Sequence, residues 1–189
     1  AAAELFFSSH LKDDLNESII KEIRRQKENI ILIGMPGSGK TVIGRALAGL
    51  TGRKCWDIDE YISSSQGRSI EDIFAQKGES YFRHLEREAV SLLAKESGRI
   101  ITTGGGVVLD RANYAPLRQN GRIYYIERAI DQLSMDGRPL SLDLAHLLLM
   151  EKQRKPLYRG FYDVIIENNG FIEAAAEKIW SDFYENIGD

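Results

Sequence analysis

Short runs of consecutive apolar residues alternate along the chain with longer segments in which apolar residues recur every three or four positions. The short runs are rich in β-branched residues, as in strands of a parallel sheet that is covered on both faces. Five such strands are predicted, at residues 30–33, 53–58, 99–103, 121–127 and 164–166. Strands that alternate with helices predict an α/β fold, a three-layer α/β/α sandwich around a five-stranded parallel sheet.

The segments between the strands have helical periodicity, so each is predicted to bury one apolar stripe. Separate helices are expected at 79–95, 110–119, 129–135 and 142–159, with shorter ones around Tyr61 and Phe74. Gly67 and Gly78 are expected to end the two short helices, and Pro156 to kink the 142–159 helix or end it early. The expected stripes comprise Ile43, Ala46, Leu47 and Leu50; then Phe82, Leu85, Ala89, Leu92 and Leu93; and finally Ile172, Ala175, Ala176, Ile179, Trp180 and Phe183.

Residues 1–28 are expected to form an N-terminal helical extension, separate from a domain at 29–189. Apolar residues spaced four apart, with acidic residues early and basic residues late, predict a helix over 13–27. Two interpretations remain open at this point: a solvated extension, or a helix that docks on the domain or on a second copy of the chain. A monomer is expected, with a dimer through this helix as the alternative.

The composition narrows the class of protein. The chain has 189 residues, 43% of them hydrophobic and 28% charged, which suits one globular domain with a substantial core. The net charge of −3 argues against a nucleic-acid partner, although locally placed arginines still bind small anions. Cys55 is the only cysteine, so no internal disulfide forms and a cytoplasmic location is expected. No apolar stretch approaches the length that a bilayer requires, so no membrane partner is expected.

A glycine-rich segment joins the first strand to the helix that follows it. Its residues are Gly34, Met35, Pro36, Gly37, Ser38, Gly39, Lys40 and Thr41. In this spacing the backbone N–H groups turn inward around a phosphate, the lysine adds a positive charge, and the threonine hydroxyl can ligate Mg²⁺. Such a turn can also be a mere connection. Because strand, loop and amphipathic helix follow in the required order, we predict a nucleotide phosphate site here.

Two carboxylates, Asp57 and Asp59, follow the second predicted strand. The carboxyl ends of parallel strands are where open α/β sheets bind their ligands. Alternate strand residues face the same way, so both carboxylates could share one face of the cleft, with Asp57 toward a Mg²⁺ shell and Asp59 toward a hydroxyl acceptor. The alternative is that Asp59 only caps the helix that contains Tyr61.

Two further features are weak signals when each is taken alone. Three consecutive glycines at 104–106 follow the third strand, which a chain tolerates where the backbone turns sharply or approaches a ligand closely. Arg83 and Glu86 lie three apart on a predicted helix, a spacing typical of a solvated pair worth about 0.3 kcal/mol.

Seven short segments carry the most specific signal when they are taken together: 34–41, 57–59, 67–74, 78–83, 104–106, 138–140 and 154–158. They resemble segments of the shikimate kinase family and occur in that family's order. Each is weak alone, but together they are specific, and the resemblance covers residues 29 to about 187. It implies a P-loop kinase fold and transfer of the γ-phosphoryl group of ATP to the 3-hydroxyl of shikimate, on the route to aromatic amino acids, with Mg²⁺ as cofactor.

The resemblance also implies residue roles, position by position. The implied catalytic residues are Asp59, Lys40 and Arg138. The implied ATP site comprises the 34–41 loop, Arg138, Asn168 and Asn169. The implied substrate site comprises Asp59, Phe74, Phe82, Arg83, Glu86, Gly104, Gly105, Gly106 and Arg154. Mg²⁺ is implied to lie on Thr41, with Asp57 and Thr102 supporting it through water.

The chain departs from the family at the lid, and other functions remain as alternatives. Before Arg154 the lid is several residues shorter than usual, and 134–137 lacks the arginine commonly found ahead of the Arg-Pro-Leu segment. A shorter lid excludes water less well, which predicts weak ATP affinity or a modest turnover. The alternatives are another small-molecule P-loop kinase, such as a gluconate or nucleoside-monophosphate kinase, and a catalytically weak or non-enzymatic nucleotide- or shikimate-binding module.

Overall fold

The computed structural model describes residues 2–133 and 144–186, with side chains at 15–133 and 145–186. The helices are α1 (Ala2–Lys27), α2 (Lys40–Thr51), α3 (Ile58–Gln66), α4 (Ile70–Leu93), α5 (Tyr114–Gln119), α6 (Leu144–Tyr158) and α7 (Ile172–Glu185). The strands are β1 (Asn29–Ile33), β2 (Cys55–Asp57), β3 (Ile100–Thr102), β4 (Gly121–Glu127) and β5 (Val164–Glu167). Within these ranges, no helix combines the length and the apolar character that crossing a membrane would require.

The strands of the described ranges form one parallel sheet in the order β2-β3-β1-β4-β5. β1 lies at the centre, where Ile31 pairs with Ile101 of β3 on one edge and with Ile123 of β4 on the other. All residues of β1 are buried, which explains its unbroken apolar sequence. The predicted parallel sheet is confirmed.

Alternate residues of β1 face opposite layers of helices. Ile31 and Ile33 belong to a core cluster with residues of α3, α4, α5 and α6. Ile30 and Leu32 belong to a second cluster with residues of α2 and α7. The sheet therefore separates two apolar cores, and the predicted α/β/α sandwich is confirmed.

Two residues assigned to buried stripes are exposed instead. Leu50 is 51% exposed and Leu92 is 52% exposed. The buried face of α4 runs through Glu86 and Val90, so Leu92 lies beside the stripe and not within it. Leu50 lies in the last turn of α2, just before Gly52 ends the helix, where helical period alone does not determine burial.

The predicted helix at 110–119 is interrupted. Two 3-10 turns, Val107–Leu109 and Arg111–Asn113, precede α5, and the Asp110 carboxylate caps the second by accepting a hydrogen bond from the N–H of Ala112. The predicted helix at 129–135 is a 3-10 turn at Ile130–Gln132, and its remainder lies outside the described residues. Gly78 breaks α4 with φ of 79°, as predicted.

α1 is longer than predicted, and its two ends differ in their contacts. The Arg25 guanidinium donates hydrogen bonds of 3.0 and 2.8 Å to the Tyr184 carbonyl and lies 3.7 Å from the centre of the Tyr184 ring. The Arg53 guanidinium in turn donates to the Arg25 carbonyl. The apolar stripe is instead exposed at Leu15, Ile19 and Ile23. The last turn of α1 is thus attached to the domain, whereas its described stripe is not docked on it.

Candidate active site

A cavity of about 790 Å³ opens at the carboxyl ends of β1, β2 and β3. This is the edge of the sheet at which α/β proteins bind ligands, and it brings together segments that are distant in sequence. The lining residues are Pro36, Lys40, Thr41, Asp57, Asp59, Glu60, Ile70, Glu71, Phe74, Ala75, Phe82, Arg83, Glu86, Thr103, Gly104, Gly105, Gly106, Met150 and Arg154.

The phosphate loop is closed on itself by Lys40. The Lys40 Nζ donates hydrogen bonds to the carbonyl oxygens of Gly34 (2.9 Å) and Met35 (2.8 Å), and its side chain is buried. Gly39 precedes α2 with φ of 95°, and a Cβ there would lie 2.6 Å from the Asn168 amide nitrogen. Position 39 therefore requires glycine, both because its φ is positive and because Asn168 leaves no room for a side chain. The loop leads directly into the N-terminus of α2, whose free N–H groups favour an anion.

Asn168 lies beside the phosphate loop, and neither Asn168 nor Asn169 lines the cavity. The Asn168 amide donates a 2.7 Å hydrogen bond to the Ser38 carbonyl, and the Asn169 side-chain oxygen accepts one of 3.0 Å from the N–H of Ala129. Asn168 thus connects the segment after β5 to the loop. A contact of either residue with ATP stays a prediction.

Thr41, Asp57 and Thr102 form a hydrogen-bonded cluster. Both threonine hydroxyls donate to Asp57 Oδ2 at 2.7 Å. Asp57 Oδ1 accepts from the N–H groups of Asp59 and Glu60 at 3.0 and 3.2 Å, so Asp57 is the cap of α3. The alternative that Asp59 is that cap is therefore wrong.

The donor set of this cluster suits Mg²⁺. Mg²⁺ prefers hard oxygen ligands, keeps several waters, and takes few protein groups besides substrate phosphates. The Thr41 hydroxyl lies next to the phosphate loop and directs its proton to Asp57, which leaves its oxygen lone pairs for a cation. Asp57 already accepts from four donors, which suits a residue that acts through water.

Asp59 lies in the first turn of α3, against the backbone of Gly104. A Cβ at Gly104 would lie 2.8 Å from Asp59 Oδ1 and 3.1 Å from Oδ2, so any side chain there would displace the carboxylate. Asp59 lines the same cavity as Lys40. Asp57 and Asp59 therefore share one cleft, as predicted.

Gly105 and Gly106 approach two other parts of the site. A Cβ at Gly105 would lie 2.7 Å from the backbone nitrogen of Pro36 in the phosphate loop. A Cβ at Gly106 would collide with the Arg83 guanidinium. The three glycines after β3 are thus explained by close approach, because a larger residue would push apart the groups that form the cavity.

Arg83 and Arg154 converge on the cavity from α4 and α6. The pKa of Arg154 is lowered by burial and, further, by the nearby positive charge of Arg83. Arg83 donates to Glu86 (2.8 Å) and to Glu79 (3.0 and 3.2 Å), and Arg154 donates to the Gly105 carbonyl (2.9 Å). Two fixed guanidiniums in one cavity form a site for a small carboxylate.

Phe74 and Phe82 form an apolar part of the wall. Their ring centres are 4.7 Å apart, and both rings line the cavity. The Arg83 guanidinium lies 5.2 Å from the centre of the Phe82 ring. The wall therefore offers a flat apolar surface next to a cation, as a small ring with a carboxylate would require.

Glu86 is not the solvated ion-pair partner that its spacing suggested, because its side chain is 0% exposed. Its Oε2 accepts from Arg83, whereas its Oε1 has no hydrogen-bond partner. Burial raises the pKa of Glu86 to about 7, although the charge of Arg83 acts in the opposite direction. A buried partner of this kind fixes the direction of the Arg83 side chain.

Replacing Glu86 with glutamine is expected to change how stability depends on pH. The pKa of Glu86 is about 7 in the folded protein against an ordinary 4.5, so folding favours its protonated form. The stability that this protonation contributes to the unsubstituted protein is fully present below pH 4.5 and is lost as the pH rises through 7. The free energy of unfolding of Glu86→Gln, relative to the unsubstituted protein, should therefore rise by about 1–3 kcal/mol across this window.

Urea denaturation at a series of pH values measures this difference. Glu79→Gln is the matched control, because Glu79 is an exposed carboxylate bound to the same arginine. A Glu86→Gln difference that stays flat with pH would show that the Glu86 carboxyl keeps an ordinary pKa in the folded protein.

Arg138 and the 134–137 segment, which was predicted to lack the lid arginine, lie outside the described residues. The role of Arg138 and the effect of the lid on ATP affinity stay predictions.

Three residues in or next to the cavity were given no role by the sequence: Met150, Tyr158 and Ile70. Met150 and Tyr158 lie four residues before and after Arg154 on α6, so helical spacing alone places them on the face of that arginine. Ile70 likewise lies one turn before Phe74 on α4. Met150 and Ile70 line the cavity, and the Tyr158 hydroxyl donates to Gly105 at 2.7 Å.

A cradle for nucleotide phosphates and a pair of arginines for a carboxylate meet in one cavity of an α/β/α sandwich, which places the chain among the P-loop kinases of small acidic alcohols. Residues 36–184 match the family described as shikimate kinase. The chain belongs to the shikimate kinase family. Membership makes it an enzyme that phosphorylates shikimate with ATP as the phosphoryl donor, in the pathway to aromatic amino acids.

Individual relatives agree with this assignment. The chain is 39% identical over 160 residues to a shikimate kinase of Moorella thermoacetica, covering 79% of this chain and 90% of that protein. It is 41% identical over 147 residues to that of Nitrosococcus oceani, covering 74% and 77%. The structure of shikimate kinase from Acinetobacter baumannii in complex with shikimate has a TM-score of 0.82 and 31% identity, covering 89% of this chain and 99% of that one. The shikimate kinase of Aquifex aeolicus has a TM-score of 0.74 and 27% identity, covering 84% and 97%.

Proposed function

We propose that the chain transfers the γ-phosphoryl group of ATP to the 3-hydroxyl of shikimate in the cavity at the carboxyl ends of β1–β3. The observation that carries this proposal is that Lys40 of the phosphate loop lines the same cavity as Arg83 and Arg154. A triphosphate on the loop and a carboxylate on the arginines place an acceptor alcohol within the same enclosed space.

The substrate is recognised by charge at one end and by shape along its ring. Arg83 and Arg154 bind the carboxylate, which two planar guanidiniums recognise better than lysines would. Glu86 orients Arg83 through their 2.8 Å hydrogen bond. Phe74 and Phe82 pack against the ring, and Gly104–Gly106 present backbone N–H groups to it.

Phosphoryl transfer requires alignment and charge neutralisation more than covalent help. Lys40 and the loop N–H groups neutralise the phosphates, and we assign Arg138 the same task. Asp59 binds the ring hydroxyls and accepts the proton of the 3-hydroxyl as its oxygen bonds to the γ-phosphorus. The bond from that phosphorus to the bridging oxygen breaks, and ADP leaves.

We propose that Mg²⁺ accompanies the ATP. The Thr41 hydroxyl would hold the ion directly, with Asp57 and Thr102 acting through water. When bound, Mg²⁺ supplies positive charge to the β- and γ-phosphates.

A spectrophotometric assay that couples ADP formation to NADH oxidation tests the function. With ATP and Mg²⁺, shikimate should be phosphorylated, whereas gluconate and nucleoside monophosphates should not. Binding of shikimate without any ADP formation would favour the non-enzymatic module, and turnover of gluconate would favour the other kinase class.

We also propose the division into an extension at 1–28 and a kinase domain at 29–189. Removing residues 1–22 should leave the free energy of unfolding unchanged, because the described stripe at Leu15 and Ile19 is exposed. Removing residues 1–28 also deletes the Arg25 contacts with Tyr184, which should cost about 1–3 kcal/mol. Urea denaturation of both truncations measures this.

Sedimentation of the same truncations addresses assembly. We propose a monomer with small molecules as its partners, a cytoplasmic location, and no nucleic-acid or membrane partner. If removing residues 1–22 alone converted a dimer into a monomer, the exposed stripe would instead be a docking surface for a second copy.

A further inference from the structure

The Gly105 carbonyl accepts hydrogen bonds from two side chains of one helix face. The Arg154 Nη1 donates to it at 2.9 Å and the Tyr158 hydroxyl at 2.7 Å. Arg154 and Tyr158 are one turn apart at the end of α6, so both reach the same oxygen from the same side. A single backbone carbonyl thus joins the triple-glycine turn to the arginine that faces the cavity.

Tyr158 is held more rigidly than Arg154. Its side chain is 0% exposed, and its ring stacks on Tyr125 with centres 4.8 Å apart. Tyr125 stacks in turn on Tyr162 at 5.5 Å. Burial raises the pKa of the Tyr158 hydroxyl, so this group stays protonated and donates its hydrogen bond throughout the pH range in which proteins fold.

We infer that Tyr158 is a positioning residue for carboxylate recognition: its hydroxyl fixes the Gly105 carbonyl, and that carbonyl fixes the plane of the Arg154 guanidinium. The inference rests on the proposed function, because it takes Arg154 as a ligand of the substrate carboxylate. A guanidinium has five N–H donors in one plane. Once one of them is bound to a fixed carbonyl, the directions open to the others are restricted before the substrate arrives, which lowers the entropy lost on binding.

Arg154 alone would not fix this geometry. Its side chain is long and reaches the cavity from the last turns of α6, so without a second donor the glycine turn and the guanidinium could move together. Gly105 also lies against the phosphate loop at Pro36, where a Cβ would be 2.5 Å from the ring. The carbonyl is therefore held between the loop and the helix, and the tyrosine supplies the uncharged, buried contact that does not interact with substrate.

Tyr158→Phe removes only the hydroxyl and keeps the stacked ring. We expect the Kd of shikimate, measured by calorimetry, to rise about 10-fold, with kcat and the KM of ATP unchanged. Tyr162→Phe is the matched control, because it removes the same group from the same aromatic stack without a contact to Gly105, and it should bind shikimate normally. Thermal denaturation of both variants establishes that they are folded.

An analogue of shikimate with a hydroxymethyl group in place of the carboxylate separates positioning from a general structural role. The ratio of Kd values between Tyr158→Phe and the unsubstituted protein should be close to one for this analogue. An equal loss of affinity for shikimate and for the analogue, or no loss of affinity for either, would overturn the inference. If the unsubstituted protein itself does not bind or phosphorylate shikimate, the proposed function has failed, and that result is distinct from a failure at Tyr158.

A second variant gives an independent outcome. In an Arg154→Ala background, Tyr158→Phe should have no additional effect on the Kd of shikimate, because the arginine whose plane it sets is absent. An undiminished 10-fold effect in that background would show that the tyrosine acts through the glycine turn and not through Arg154.

Discussion

Replacing Lys40 with methionine is expected to lower kcat for shikimate phosphorylation by about 10³-fold, or about 4 kcal/mol in the activation free energy. Methionine has a similar length and fits a buried position, but it carries no charge. The Lys40 Nζ is held at 2.9 and 2.8 Å from two loop carbonyls, so its charge is fixed at the rim of the phosphate cradle before ATP binds. A positive charge that is already in position stabilises the transition state, in which negative charge is spread over the transferred phosphoryl group.

Steady-state kinetics with the coupled assay measure this loss, and two controls make it specific. Lys54→Met removes the same charge from an exposed position outside the cavity and should leave kcat unchanged. Lys40→Met should bind shikimate with normal affinity, because Arg83 and Arg154 are intact. A Lys40→Met protein that is folded and retains more than a tenth of the activity would contradict the assigned role.

The sequence was sufficient to predict the fold and the site wherever a local pattern of residues determines the structure. The apolar run of β1 specifies a doubly covered strand. The glycines before Lys40 predict a phosphate loop because they lie between that strand and an amphipathic helix. The pairing of Asp57 and Asp59 followed from their position at a strand end. The sequence did not show which of the two caps α3, because the cap depends on which carboxylate reaches the free N–H groups. In the structure that carboxylate is Asp57.

The sequence was insufficient to predict burial and contacts that depend on how helices and strands pack against one another. Glu86 has the spacing of a surface ion pair, and only the packing of α4 places it at 0% exposure beside Arg83. Helical spacing places Tyr158 on the face of Arg154, but its hydrogen bond to Gly105 joins two elements that are far apart in the chain, and spacing within one helix does not predict that bond. The exposed Leu92 is the converse case, since an apolar side chain at nearly helical spacing fell just beside the buried face.

Replacing Asp59 with asparagine is expected to lower kcat by about 10²–10³-fold while changing the KM of shikimate much less. Asparagine keeps the shape that the close approach of Gly104 demands, where a Cβ would lie 2.8 Å from the carboxylate. It removes the negative charge and the group that takes the proton of the acceptor hydroxyl. Since the arginines that bind the substrate carboxylate are untouched and asparagine still hydrogen-bonds the ring hydroxyls, the loss should fall mainly on turnover and only slightly on binding.

Glu60→Gln is the matched control for Asp59→Asn. Glu60 is the next residue, lines the same cavity and carries the same charge, but its exposed carboxylate pairs with Arg45. Loss of that charge should leave kcat near its original value, because surface ion pairs contribute little. If Asp59→Asn and Glu60→Gln lowered kcat equally, the effect would come from the total charge of the cavity. If only Asp59→Asn lowered kcat, the result would support transfer of the proton to Asp59, whose carboxylate lies against Gly104.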